Sequence, residues 1–241
     1  MAKTLQNFID AVTGHLGNRS GGTIGTQSMA DSIASAINNG ISKISKQYRL
    51  PILDRTLQTT VEIGTKIYDL PTLDTNNNPI RLRNLLRVHY LDSTGEGYPL
   101  TKISMQEYDE HYPPSTSGDT GTPIYYAVFA GQIHLYPTPE LAGYLVYRAT
   151  IWPTAMSSLD AESPLGEDWD DVLEEYATAE CFAKLQQTLD ARLWLDMYRK
   201  SLRETIYAMS EEPDDLPNAV DPVSRFSISD PVNNPLVMRY N

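Results

Sequence analysis

The sequence predicts an α+β fold: a helical bundle formed from N- and C-terminal helices, an antiparallel β-sandwich or barrel domain inserted between them, and an extended C-terminal arm. Three observations carry this prediction. Near both ends of the chain apolar residues recur every three or four positions, the spacing of one helix face. Between about 56 and 152 the period changes to two, the alternation of half-buried strands. Residues 212–241 then hold five prolines and no glycine, with no helical period. The expected divisions are 1–50 for the first helices, 51–153 for the β domain, 154–211 for a helical hairpin and 212–241 for the arm.

The first helix is expected over 4–16, with Thr4 at the N-cap and Leu5, Phe8, Ile9, Val12 and Leu16 on one face. A glycine-rich break, GHLGNRSGGTIG (14–25), is flexible by composition and leads into QSMADSIASAINNGISKISKQY (27–48). There Met29, Ile33, Ile37, Ile41, Ile44 and Tyr48 form a long one-faced helix, with Gly40 tolerated at some cost. Leu50-Pro51 stops it, because the residue before proline resists the helical region and proline cannot continue the hydrogen-bond ladder.

Six to eight short strands are expected next, in runs such as TLQTTVEI, TKIYDLP, LLRVHYLD, GYPLTKI and GYLVYRATIW, separated by Gly- and Asn-rich turns. The most regular run is GTPIYYAVFAGQIHLYPTPE (121–140), where Ala130-Gly131 has the length of a two-residue hairpin turn. That register sets Val128 opposite Ile133 and Tyr126 opposite Leu135 on one apolar face. The other face carries Tyr125, Phe129, Gln132, His134 and Tyr136. One helical turn interrupts the strands, with Ser104 and Glu107 at capping-box spacing.

Helical periodicity resumes in GEDWDDVLEEYATAECFAKLQQ (166–187), where Trp169, Val172, Leu173 and Tyr176 share one face while Phe182 and Leu185 fall nearly opposite. Such a helix packs between two partners. A second helix, roughly 189–210, carries Ala191, Leu195, Tyr198, Leu202, Ile206 and Met209 and completes a helical hairpin. The arm beyond it is studded with apolar residues, unlike a plain polar tail, so it reads as an extended segment that docks on a partner.

A net charge of −12 argues against a nucleic-acid groove, which needs clustered Lys and Arg. The single cysteine, Cys181, cannot form an internal disulfide, and the Met-Ala-Lys start lacks the apolar core of a secretory signal. Synthesis in a reducing cytoplasm is therefore expected. No stretch has the length of a membrane span, so no membrane partner is expected.

Residues that carry chemistry are sparse. His15, His89, His111 and His134 lie in separate elements, so no metal site is expected. Cys181 sits in a helix beside Phe182 and reads as a small core residue. Glu167, Asp168, Asp170, Asp171, Glu174 and Glu175 invite an acid/base reading, with Asp168 and Asp171 as a hydrolase pair. All six lie in the first turns of a helix, where the backbone dipole favours carboxylates, and this accounts for them better. The glycine run at 21–25 lacks the Gly-Lys-Ser/Thr ending of a phosphate loop. No catalytic residue and no cofactor are expected.

Gly121, Pro123, Tyr125, Gly131, Leu135, Pro137 and Pro139, followed by Tyr147 and Pro153, stand in an order that resembles the head-to-tail adaptor (connector, head completion) proteins of tailed bacteriophages. The resemblance covers most of 27–210. It implies a structural virion protein at the head-tail junction, with about twelve copies in a closed ring. The ring would bind the portal protein on one side and tail or nozzle proteins on the other, while genomic DNA passes through without sequence-specific binding. In this reading the arm reaches the portal through Phe226, Ile228, Val232, Leu236, Met238 and Tyr240. The polar loop holding Ser115, Thr116, Ser117, Gly118 and Asp119 faces the tail. The alternative is a sugar- or receptor-binding tail component, which requires exposed aromatics such as Tyr125, Phe129 and Tyr136 on one β face.

Overall fold

A computed structural model describes residues 2–17, 23–24, 27–111 and 119–210. It divides into two compact units, Met1–Ser201 and Leu202–Asn241. Among the described residues there are five α-helices: α1 (Leu5–His15), α2 (Met29–Gln47), α3 (Met105–His111), α4 (Asp170–Lys184) and α5 (Thr188–Ser210). All the described strands fall in the first unit, and the described residues of the second are the last turns of α5.

Helix α1 starts where Thr4 Oγ1 accepts the amide of Asn7 at 3.3 Å, and it buries Leu5, Phe8, Ile9 and Val12. Ser28 caps α2 in the same way, accepting the amide of Asp31 at 3.1 Å. The α2 stripe Met29, Ile33, Ile37, Ile41 and Ile44 is buried as its spacing demands. Before it, β1 (Thr23–Ile24) at the end of the glycine-rich break pairs antiparallel with β2 (Gln27–Ser28), so the first two residues expected in the helix are strand instead. The break at Leu50-Pro51 is real: α2 ends at Gln47 and one 3-10 turn follows over Pro51–Leu53. Helices α1, α2 and α4 contact one another.

The strand region is more divided than its sequence suggests. In order come β3 (Asp54–Val61), β4 (Ile67–Asp69), β5 (Leu82–Asp92), β6 (Gly97–Pro99), β7 (Thr101–Lys102), β8 (Thr120–Gly121), β9 (Tyr125–Phe129), β10 (Gln132–Tyr136), β11 (Thr138–Pro139) and β12 (Gly143–Ile151). One four-stranded sheet runs β3-β12-β5-β6, wholly antiparallel. A second runs β4-β10-β9-β7, and β11 pairs with β8 beside it. Neither sheet closes on itself, so the barrel alternative is not realised among the described residues.

Two pairings correct the expectation of an antiparallel domain. Strands β7 and β9 are parallel, as are β8 and β11. The run GYPLTKI is not one strand but two in different sheets, because the chain crosses between them at Leu100, whose amide bonds the Val88 carbonyl at 2.9 Å. Having crossed, it reaches β9 only after α3 and β8, and a crossover of that kind returns the chain parallel.

The hairpin follows its sequence register, with Val128 opposite Ile133 and Tyr126 opposite Leu135. Ala130 and Gly131 both have positive φ, 49° and 80°, the backbone of a type I′ turn. Residues from both four-stranded sheets share one apolar core, in which Leu57, Val88, Leu145 and Tyr147 meet Tyr126, Ile133 and Leu135. The other hairpin face is not left to solvent. Tyr108 of α3 is buried there, its hydroxyl donating to the Leu135 carbonyl at 3.1 Å and its ring 5.7 Å from that of His134.

Candidate interaction surfaces

Most of the residues expected to meet partners lie outside the described part of the chain. This applies to Phe226, Ile228, Val232, Leu236, Met238 and Tyr240 of the arm, and to Ser115, Thr116, Ser117 and Gly118 of the polar loop. Asp119 is described and anchors the end of that loop. Its carboxylate accepts the Tyr136 hydroxyl and its carbonyl accepts the Thr138 amide at 2.9 Å.

A concave surface lies between α2, the approach to β5 and the segment after β12. It encloses about 590 Å³, and its apolar lining includes Ile41, Ile80, Trp152 and Pro153. Arg83 holds Trp152 in place, its guanidinium 5.1 Å from the ring centroid and its Nη1 donating to the Tyr48 carbonyl at 2.8 Å. Asn38 closes one end by exchanging two hydrogen bonds with the Met156 backbone, at 2.8 and 3.1 Å. Lys46 and Arg81 stand exposed on its lining, and neither has a carboxylate partner among the described residues. Nothing local in the sequence marks this groove, because its walls come from three segments far apart in the chain.

The acidic helix start has a different use from the one its clustering suggests. The chain's beginning is tied to it: Lys3 donates its amide to Asp170 at 2.6 Å and its Nζ to Glu174 at 2.6 Å and Asp171 at 3.3 Å. Glu174 also meets His15 Nε2 at 2.7 Å, and the His15 ring lies 4.5 Å from that of Trp194. Burial pushes the Asp170 carboxyl above its ordinary range even though the Lys3 amide opposes the shift. The cluster therefore fastens α1 to α4. Asp168 and Asp171 are exposed on it, and Asp171 is already paired with the Lys3 ammonium.

A family model described as SU10 adaptor protein matches residues 3–222, which takes in the helices and the sheets alike. The chain belongs to the SU10 adaptor protein family. That is a phage head-tail adaptor family, so this SU10-family chain is a phage structural adaptor, which is not an enzyme class. No curated protein matches the chain significantly.

Among the described residues no group of three or more His, Cys, Asp or Glu side chains is placed to hold a metal ion. Cys181 is fully buried, and burial pushes its thiol up to about 11, where it is inert as a nucleophile. Burial lowers the pKa of His134 beneath α3. Among the described residues no helix is long and apolar enough to cross a membrane. Of the three aromatics a sugar would need, only Phe129 is exposed, at 60%, while Tyr125 and Tyr136 are half-buried. Helix α5 shows what its expected stripe omitted: Leu189, Leu193 and Met197 recur every fourth residue on an exposed face.

Proposed function

We propose that this protein is the adaptor that joins the portal of the capsid to the tail at the head-tail junction of the virion. The observation that carries this reading is the family match over 3–222. About twelve copies form a closed ring below the portal and line the DNA exit channel. In this ring 1–50 and 154–211 form the helical body, 51–153 is a rigid β spacer toward the tail, and 212–241 is the arm that reaches the portal. A net charge of −12 supports a conduit that repels phosphate and lets the genome slide.

Phe226, Ile228, Val232, Leu236, Met238 and Tyr240 are the arm anchors, since buried aromatic and large aliphatic side chains dominate interface energies. Residues 115–119 form the contact to tail or nozzle proteins. The test is sedimentation of the full chain, and of a version ending at Glu212, alone and mixed with the portal ring of the same virus. Co-sedimentation of the full chain and its loss on truncation are expected. If neither version joins the portal, the reading fails.

A further inference from the structure

Arg87 and Arg148 stand directly opposite each other on the adjacent antiparallel strands β5 and β12, and both are exposed. Opposed side chains of this kind start only about 5 Å apart, so two like charges there repel and weaken the sheet. Neither guanidinium has a carboxylate partner among the described residues, in a chain whose Asp and Glu outnumber Lys and Arg by 31 to 19. An exposed strand position has no need of arginine, and threonine suits the strand better. The pair therefore calls for anions from outside the fold.

Its surroundings say which anions. Thr56 of β3 lies opposite Arg148, and further along the same open face Gln58, Thr60 and Tyr144 are exposed, Tyr144 at 44%. A nucleic-acid footprint is a longer basic stripe, whereas two cations beside an aromatic ring suit a small acidic and apolar protein surface. The segment between β12 and α4 carries that chemistry. Asp160 and Glu162 are exposed and have no ion-pair partner among the described residues, and Leu159 beside them is 53% exposed. The backbone that presents them is fixed, because the Leu5 and Gln6 amides donate to the Ala161 and Leu159 carbonyls, both at 2.9 Å, and the Ser163 amide donates to the Lys3 carbonyl at 3.1 Å. A preformed segment loses little freedom on binding.

We propose that Arg87 and Arg148 of one copy bind Asp160 and Glu162 of the next, with Leu159 against Tyr144. The two surfaces differ, so the contact is head-to-tail, the kind that closes into a ring when its rotation permits. This deepens the adaptor reading and rests on its ring of copies. Exposed charge pairs set register and encounter rate more than affinity, so the contact weakens with salt.

Sedimentation velocity of the full chain at low ionic strength, over a range of concentrations, tests this. Wild type should self-associate. Arg87→Glu with Arg148→Glu, and separately Asp160→Lys with Glu162→Lys, should each weaken association about tenfold or more, because like charges then face one another. An equal mixture of the two double variants should associate as wild type does. In an alternating array every Glu-bearing face meets a Lys-bearing segment and every Arg-bearing face meets an acidic one, and the rescue shows that both variants fold. A monomeric wild type, double variants that associate normally, or a mixture that fails to recover overturns the inference. Duplex DNA that binds wild type but not the Arg87→Glu, Arg148→Glu variant, with self-association unchanged, gives the pair to nucleic acid and overturns it too. Portal co-sedimentation is scored separately: portal binding without this association pattern sinks this inference alone, and the pattern without portal binding sinks the adaptor reading alone.

Discussion

Gly40 of α2 lies against the ring of Tyr176 in α4: a Cβ at position 40 would stand 2.9 Å from Tyr176 Cδ1 and 3.2 Å from Leu173 Cδ2. The glycine is therefore not a tolerated flaw in α2 but the place where another helix comes close. Tyr176 is held there by the Tyr198 ring at 5.3 Å and by the Lys43 ammonium 5.0 Å above it.

Gly40→Val should lower stability by about 2–3 kcal/mol, since the overpacking penalty exceeds the helix-propensity difference between Gly and Val. Gly143→Ala should be at least as damaging for a stiffer reason. Its Cβ would fall 2.1 Å from the Leu91 carbonyl oxygen, and backbone in the middle of a sheet cannot step aside as a side chain can. Denaturant melts of both variants measure this, and wild-type stability in Gly143→Ala would contradict the observed pairing of β5 and β12.

At the hairpin, Ala130 occupies a positive-φ position that disfavours a Cβ. Ala130→Asn should stabilise the protein by about 0.5–1 kcal/mol, because asparagine followed by glycine is the favoured pair for this turn. Thermal unfolding reads the gain.

Asp92 closes the β5–β6 turn. Its Oδ1 accepts the Thr94 hydroxyl at 2.6 Å and the amides of Thr94 and Glu96 at 2.8 and 3.0 Å. The Thr94 side-chain bond leads in holding this carboxyl below its ordinary value, with the backbone amides adding to it against some desolvation. A depressed folded pKa contributes stability that is fully present above the unfolded value of about 4 and is lost as pH falls through the folded one. Wild type should thus lose more stability than Asp92→Asn between about pH 5 and pH 2. Parallel urea titrations across that range would show it, and equal slopes would argue against it.

Deletion of 115–118 should spare folding and portal binding while blocking tail joining. Asp119 is kept in this design because it anchors the strand that follows through Tyr136 and Thr138. Loss of portal binding instead would place the loop on the other side of the ring.

Features that depend on neighbours a few residues away can be read from the chain alone. Thr4 and Ser104 cap their helices, Pro51 ends α2, and Val128, Ile133, Tyr126 and Leu135 pair as the two-residue turn requires. Periodicity also located the buried stripes of α1 and α2, since one face of a helix must leave water wherever that helix packs. The tertiary structure alone decided relations between distant segments. Only folding brings Lys3 to Glu174, sets Tyr176 against Gly40, carries the chain between sheets at Leu100 so that β7 meets β9 in parallel, and gathers Lys46, Arg81 and Trp152 around one groove. The reason is physical: local signals report a residue's own backbone and face, whereas which face meets which depends on how all the apolar surfaces are covered together, and no single stretch of sequence contains that information.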